Sequence, residues 1–227
     1  MKELIDLYHF PEEYNFIEDT KAEISYKNQG NCNCSWSISS TTASSYRFHK
    51  KGINIDLSPQ YPLSCYIKNC SYENYLIDTQ LNLVKNGTVS EECLPFISKD
   101  QQLLDDCPSS CKNGSSLVKY YSQKAYSVDE YYSEENYYDI MLLTMDELIE
   151  NGPIVAQLDL YQDLIEWNNN PEKCFDEVYK HKTQEEHIGK YYVTIVGYGY
   201  SYNKYYWLVQ NSIGVEQCNI SKLNLDK

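Results

Sequence analysis

From Ile154 onward the chain alternates: Ile154, Ala156, Leu158 and Leu160 interleave with Val155, Gln157 and Asp159, the period of two of a half-buried strand. Further strands are predicted over 192–198 and 205–210. Upstream the period lengthens. Leu76, Thr79 and Leu83 share one helical face between Tyr75 and Lys85, and Asn86-Gly87 supplies a stop signal. Another helix is predicted from about Tyr138 to Glu150, ending at Asn151-Gly152-Pro153. The segment from Trp36 to about His49 lacks Gly and Pro and suits a helix, although its Ser and Thr residues confer weak propensity, so tertiary burial must hold it. Helices first and strands later predict an α+β chain with a mainly helical lobe and a sheet lobe.

At 227 residues the chain can bury a real core as one domain or two lobes sharing an interface. Hydrophobic content of 42% and charged content of 23% exclude disorder as the default. The longest apolar runs fall far short of the roughly 18 residues of a membrane-spanning helix. A formal charge of −14, with Arg47 as the only arginine, excludes nucleic acid, whose phosphates need clustered basic residues.

Nine cysteines point to an oxidising compartment. Their spacing excludes a structural metal site, because Cys107 and Cys111 have no second close Cys or His pair to join them. Five sequons, at Asn33, Asn69, Asn86, Asn113 and Asn219, are compatible with a secretory route and a glycoprotein. The N-terminal Met-Lys-Glu-Leu-Ile-Asp, by contrast, lacks the apolar core of a signal peptide. Tyrosine is abundant, with 24 residues and runs at Tyr120-Tyr121, Tyr131-Tyr132 and Tyr137-Tyr138, read as amphipathic packing at a sheet edge in preference to a sticky surface.

Several phrases in order carry a family resemblance. Gln29-Gly30-x-Cys32-x-x-Ser35-Trp36 resembles the nucleophile turn of the papain-like (peptidase C1) cysteine proteases, and Leu57-Ser58-Pro59-Gln60 with Cys65 resembles the stretch after their central helix. Asn151-Gly152-Pro153-Ile154 resembles their first sheet-lobe strand, Tyr191 to Gly199 their histidine strand, and Tyr206-Trp207-Leu208-Val209-x-Asn211-Ser212 their asparagine strand. Cys93 with Cys107-x-x-x-Cys111 looks like cathepsin B and its relatives, with a much shorter intervening loop. The resemblance implies a single disulfide-bridged domain over 10–227. Its helical lobe, about 20–115, packs against a β-sheet, barrel-like lobe of about 116–227 plus the N-terminal segment.

Eight paired cysteines admit 105 pairings by count. The resemblance implies Cys32–Cys70, Cys65–Cys107, Cys93–Cys111 and Cys174–Cys218, with Cys34 left over. Each such bridge contributes about 2–4 kcal/mol by restricting the unfolded chain.

A papain-like site needs a thiolate at the start of the central helix, an imidazole beside it and an asparagine to orient that imidazole. In this chain Ser35 stands at the nucleophile position and Tyr191 at the base position, while Asn211 and the oxyanion-donor position Gln29 are retained. A tyrosine with an ordinary pKa of about 10 is a poor base at neutral pH. Substrate-wall positions depart too. Ser71-Tyr72-Glu73 replaces the family's Gly-Gly after Cys70, so Glu73 crowds the cleft that Trp36 and Ile213 flank. Ile213 replaces a tryptophan, and the short tail after it suggests that part of the C-terminal strand region is deleted.

Groups that could substitute for the lost pair have plainer roles. Cys34 lies one residue early, and the roughly 100° rotation that this implies at a helix start turns it from the cleft; it reads as a buried thiol or an intermolecular bridge. His187, four residues before Tyr191, reads as a solvated histidine of the entering loop. A glycan on Asn33 would cover the cleft, but Cys34 within that sequon disfavours occupancy.

The expectation is therefore a proteolytically inactive papain-type pseudoenzyme, secreted or of a lysosome- or vacuole-like compartment, without cofactor or metal. It would bind a protein or peptide partner or serve a structural role. The alternatives are a serine-type hydrolase using Ser35 with an unidentified base, and a non-catalytic subunit of a larger assembly.

Overall fold

Sixteen residues, Ser35–Lys50, form the central helix α3 of the computed structural model, which describes residues 2–70, 76–104, 106–128, 137–182 and 184–225. Every residue from Ser35 to Tyr46 is buried, so packing and not propensity holds this Ser/Thr-rich segment helical. Three of its hydroxyls bond back along the helix: Ser40 Oγ donates to Trp36 O (2.6 Å), Thr41 Oγ1 to Ser37 O (2.9 Å) and Ser45 Oγ to Thr41 O (2.7 Å). Those bonds keep these three hydroxyls paired inside the fold.

Short elements precede it: α1 (Lys2–Leu7), strand β1 (Tyr14–Asn15) and α2 (Phe16–Thr20), the last capped by Asn15 Oδ1. After it come α4 (Gln60–Pro62), a π-helical turn at Leu63–Ile67, and α5 (Leu76–Lys85). The predicted apolar face of α5 is the buried one, with Thr79 and Leu83 essentially unexposed, while Ile77 and Leu81 face solvent. Helix α6 (Tyr137–Asn151) buries Met141, Met145 and Leu148.

Strand β2 (Ile154–Tyr161) comes next. Two short helices not foreseen in the sequence, α7 (Gln162–Asn168) and α8 (Pro171–Asp176), then interrupt the strands. The long β3 (His187–Ser201), β4 (Lys204–Gln210) and β5 (Ile220–Asn224) complete an antiparallel sheet. Its order is β1-β3-β4-β5, with β2 also paired to β3. Tyr191 faces Leu158 across β2–β3, and Tyr198 faces Tyr14 across β1–β3. Gly197 is required there, because a Cβ would sit 2.2 Å from Tyr14 O. The stretch after Ile213, expected to be curtailed, still supplies β5 against the whole of Tyr206–Gln210.

The result is an α+β chain of helices and an antiparallel sheet. The sheet packs one face on α6, with Met145, Leu148, Tyr191, Val193, Val209 and Ile213 in its principal core. Its other side meets α3 around Trp36, Ile38, Tyr192 and Val155. Four disulfides join Cys32–Cys70, Cys65–Cys107, Cys93–Cys111 and Cys174–Cys218, the pairs that the resemblance implies, and Cys34 is free.

Among the described residues the tyrosine runs do not lie along a sheet edge. Tyr120 packs edge-on against Phe48 at 5.9 Å in a loop, Tyr121 and Tyr138 are exposed, and Tyr131-Tyr132 fall outside the described residues. The sheet's buried tyrosines are the adjacent Tyr191 and Tyr192 with Tyr198 on β3, and Tyr206 on β4. Among the described residues no helix is long and apolar enough to cross a membrane.

Candidate functional site

The turn that delivers Ser35 is built by backbone bonds and one disulfide. Gln29 N–H donates to Ser212 O (2.9 Å), Asn31 N–H to Lys99 O (2.7 Å) and Asn33 N–H to Cys70 O (2.6 Å), while Cys32–Cys70 ties the turn to the neighbouring loop. Gly30 has φ +57°, and a Cβ there would lie 2.4 Å from Lys99 O, so only glycine fits. Ser35 is thereby placed as the first residue of α3, with Cys34 as its N-cap.

Ser35 is 1% exposed, and its Oγ accepts the backbone N–H of Tyr192 at 3.2 Å. The expected base position is on the same strand. Tyr191 is fully buried; its hydroxyl oxygen accepts Ser212 N–H at 2.7 Å and lies 3.2 Å from Ser212 Oγ. Burial pushes its pKa well above the usual tyrosine value, against the opposing bonds from Ser212. The phenol therefore stays protonated at neutral pH.

Gln29 joins the same network, since Ser212 Oγ donates to Gln29 Oε1 at 2.8 Å. Asn211 does not reach Tyr191 by hydrogen bond. Its Nδ2 donates to Cys218 O (2.9 Å) and Ser221 Oγ (3.0 Å), and its Oδ1 accepts Ile213 N–H (3.2 Å), which commits the amide to folding the 211–221 turn. Behind this network a cavity of only about 10 Å3, bordered by Lys27, Thr42, Thr194 and Ser212, has room for about one water.

The sequence pattern described as "Papain family cysteine protease" matches residues 10–218. The chain belongs to the papain family of cysteine proteases. Within that family several of its relatives carry cathepsin B names. The chain is 28% identical over 210 residues to "Cathepsin B-like CP2" of Giardia intestinalis, a match covering 90% of this chain and 65% of that protein. It is 28% identical over 186 residues to "Cathepsin B" of Dictyostelium discoideum, covering 76% and 55% respectively. It thus spans less than two thirds of the length of these relatives. Among solved structures, "proCathepsin B S9 from Trypanosoma congolense" superposes with a TM-score of 0.76 at 24% identity, over 96% of this chain and 73% of that one, a likeness of fold.

The other candidate residues of this papain-family chain are dispersed. Trp36 is fully buried, and Ile213 is 8% exposed in the core that holds Tyr191, whereas Glu73 lies outside the described residues. Cys34 is buried among Cys32, Trp36, Leu63 and Cys70, and burial raises its thiol pKa to about 12. His187 is not in a loop: it opens β3, with its Nε2 3.2 Å from Asp159 Oδ1. His181 Nδ1 lies 3.2 Å from Asp163 Oδ1, and His49 Nε2 3.0 Å from Thr20 O. Among the described residues no histidine hydrogen-bonds Ser35.

Two features were missed by sequence reasoning. Ser212 is the hub that links Tyr191 to Gln29, and Lys27, 5% exposed, ion-pairs Asp56 at 2.7 Å just beyond the turn. The Asn211-Ser212 phrase was legible, but the direction of a serine hydroxyl is decided by tertiary neighbours.

Proposed function

We propose that this papain-family chain is a proteolytically inactive pseudoenzyme, Ser35 replacing the catalytic cysteine and Tyr191 the catalytic histidine, that acts by binding a protein or peptide or as a structural component. One observation carries the reading: the hydroxyl of buried Tyr191 is bonded to Ser212, and Ser35 Oγ is bonded to the Tyr192 amide. A serine attacks a carbonyl only when a base within hydrogen-bond reach takes its proton. Here no such base adjoins Ser35 among the described residues, and a protonated phenol cannot serve as one. Retained Gln29 and Asn211 support hydrogen-bonded scaffolding as readily as catalysis. We place the chain as one domain over 10–227 in the secretory pathway, extracellular or lysosome- or vacuole-like, on the strength of its four disulfides.

The test is incubation of the purified chain with a diverse peptide library, read by mass spectrometry, beside Ser35→Ala. No cleavage by either protein is expected. Cleavage by the wild type that vanishes in Ser35→Ala would overturn the reading in favour of a serine-type hydrolase.

A further inference from the structure

Five sequons are spread along the chain, and the fold treats them differently. Asn33 is wedged beside the Cys32–Cys70 bridge, with its N–H on Cys70 O (2.6 Å) and with Cys34 and Ser35 buried behind it. Asn86 donates its Nδ2 to Asn82 Oδ1 (2.7 Å), and Thr88, its sequon partner, is unexposed with Oγ1 on Ser58 O (3.0 Å). Asn219 is half-buried and lines a groove, and Ser221 is buried in the Asn211 network. The sequon of Asn69 ends at Ser71, which lies outside the described residues.

Asn113 is the contrast. Asn113, Gly114 and Ser115 are all exposed, at the tip of a tight turn that Cys111 N–H to Ser115 O (2.9 Å) and Gly114 N–H to Cys111 O (2.8 Å) close. The turn is anchored by the Cys93–Cys111 disulfide and by the Ser110–Ser116 bridge. A Cβ built on Gly114 meets nothing within 4 Å, so the space around the tip is open. Ser115 N–H (2.9 Å) and Ser115 Oγ–H (2.7 Å) both donate to Asn113 Oδ1, which identifies the other atom of the amide as the outward Nδ2. That nitrogen is the one that carries an N-linked sugar.

We infer that Asn113 is an N-glycosylation acceptor of this chain and that Asn33, Asn86 and Asn219 are not. A glycan is bulky and must leave the folded surface without displacing it, a condition that the Asn113 turn meets and the other three sites do not. The donor class is a lipid-pyrophosphate-linked oligosaccharide. Asn113 Nδ2 bonds to C1 of the reducing-end sugar, the C1–O bond to the carrier breaks, lipid pyrophosphate leaves and the amide gives up one proton. The inference rests on the secretory reading above.

The experiment is expression of the full chain behind a cleavable leader in a eukaryotic secretory host, with glycopeptide mapping by mass spectrometry of intact glycopeptides. Reading the glycan mass itself separates transfer from spontaneous deamidation of the Asn113-Gly114 pair. A glycan on the Asn113 peptide is expected, and Asn113→Gln should lower the mass by one glycan while leaving the melting temperature within a degree or so of wild type. A bare Asn113, or a glycan on Asn33, Asn86 or Asn219, would overturn the inference. Occupancy is also read on cell-retained protein, so a failure to secrete counts against the compartment reading alone.

Discussion

The hydroxyl of Tyr191 accepts the backbone N–H of Ser212 at 2.7 Å, and both residues are buried. The same residues that resemble a catalytic pair's surroundings thus serve as a buried strand-to-turn tie. Tyr191→Phe removes the acceptor and leaves the Ser212 N–H orphaned. The expected cost is about 1–3 kcal/mol, or about 2–4 °C in melting temperature for each kcal/mol in a chain of this size. Thermal unfolding measures it, and an unchanged midpoint would show that the bond is not formed.

A thiol placed at position 35 should not by itself make a nucleophile. Ser35→Cys places a sulfur at the start of α3, but among the described residues no histidine hydrogen-bonds that position to stabilise the thiolate, and burial opposes ionisation. Labelling of that variant by a thiol-directed epoxide at pH 6 is expected to be no faster than labelling of a free cysteine. Rapid stoichiometric labelling would mean that a base lies within reach.

Cys34 supplies a complementary check. With its thiol pushed up to about 12, only about one molecule in ten thousand carries a thiolate at pH 8. Iodoacetamide should leave the native protein unmodified at pH 8 and take one equivalent after unfolding without reductant, since Cys34 is the one free cysteine.

Glu91 should make the fold more stable in mild acid. Burial raises its pKa above the ordinary glutamate value, against Lys27 and the Phe96 N–H bond (2.8 Å), while Asp56 adds to the rise. A carboxyl whose folded pKa is raised binds its proton more tightly in the folded state. Its contribution is therefore fully present below the unfolded value and is lost as pH rises through the folded one. Glu91→Gln is expected to flatten the melting temperature between pH 4 and pH 7 relative to wild type. Parallel profiles for the two proteins would refute the assignment.

Arg47 is a second polar anchor, half-buried. From α3 it donates to Pro153 O (2.8 Å), Gly152 O (3.2 Å), Glu147 Oε1 (2.9 Å) and the Tyr126 hydroxyl (3.0 Å), pinning the end of α6. Arg47→Lys keeps the charge but not the planar fork, and a loss of about 1.5–3 kcal/mol is expected in denaturant unfolding. A variant as stable as wild type would show these bonds to be dispensable.

Much of the architecture was legible residue by residue. Thr79 and Leu83 mark the buried face of α5, and Asn151-Gly152-Pro153 marks the end of α6, because periodicity and turn chemistry are local properties. The short helices α7 and α8 were not visible. Gln162–Asn168 and Pro171–Asp176 are each too short to show a helical period, and they hold through Leu164 and Trp167 packing on the sheet and the Cys174–Cys218 bridge. The tyrosine runs misled for a related reason, since composition says nothing about which ring is covered.

What the sequence by itself determined was the identity of the groups: serine at 35, tyrosine at 191, asparagine at 211, and the order of elements that carries them to one place. Which hydrogen bonds those groups make was decided only by the tertiary structure. Ser212 turns toward Tyr191 and Gln29, Asn211 turns toward Cys218 and Ser221, and a small cavity remains behind them. The physical reason is that a buried polar group must find a partner. Which partner lies within about 3 Å depends on strands, turns and disulfides brought together from distant parts of the chain.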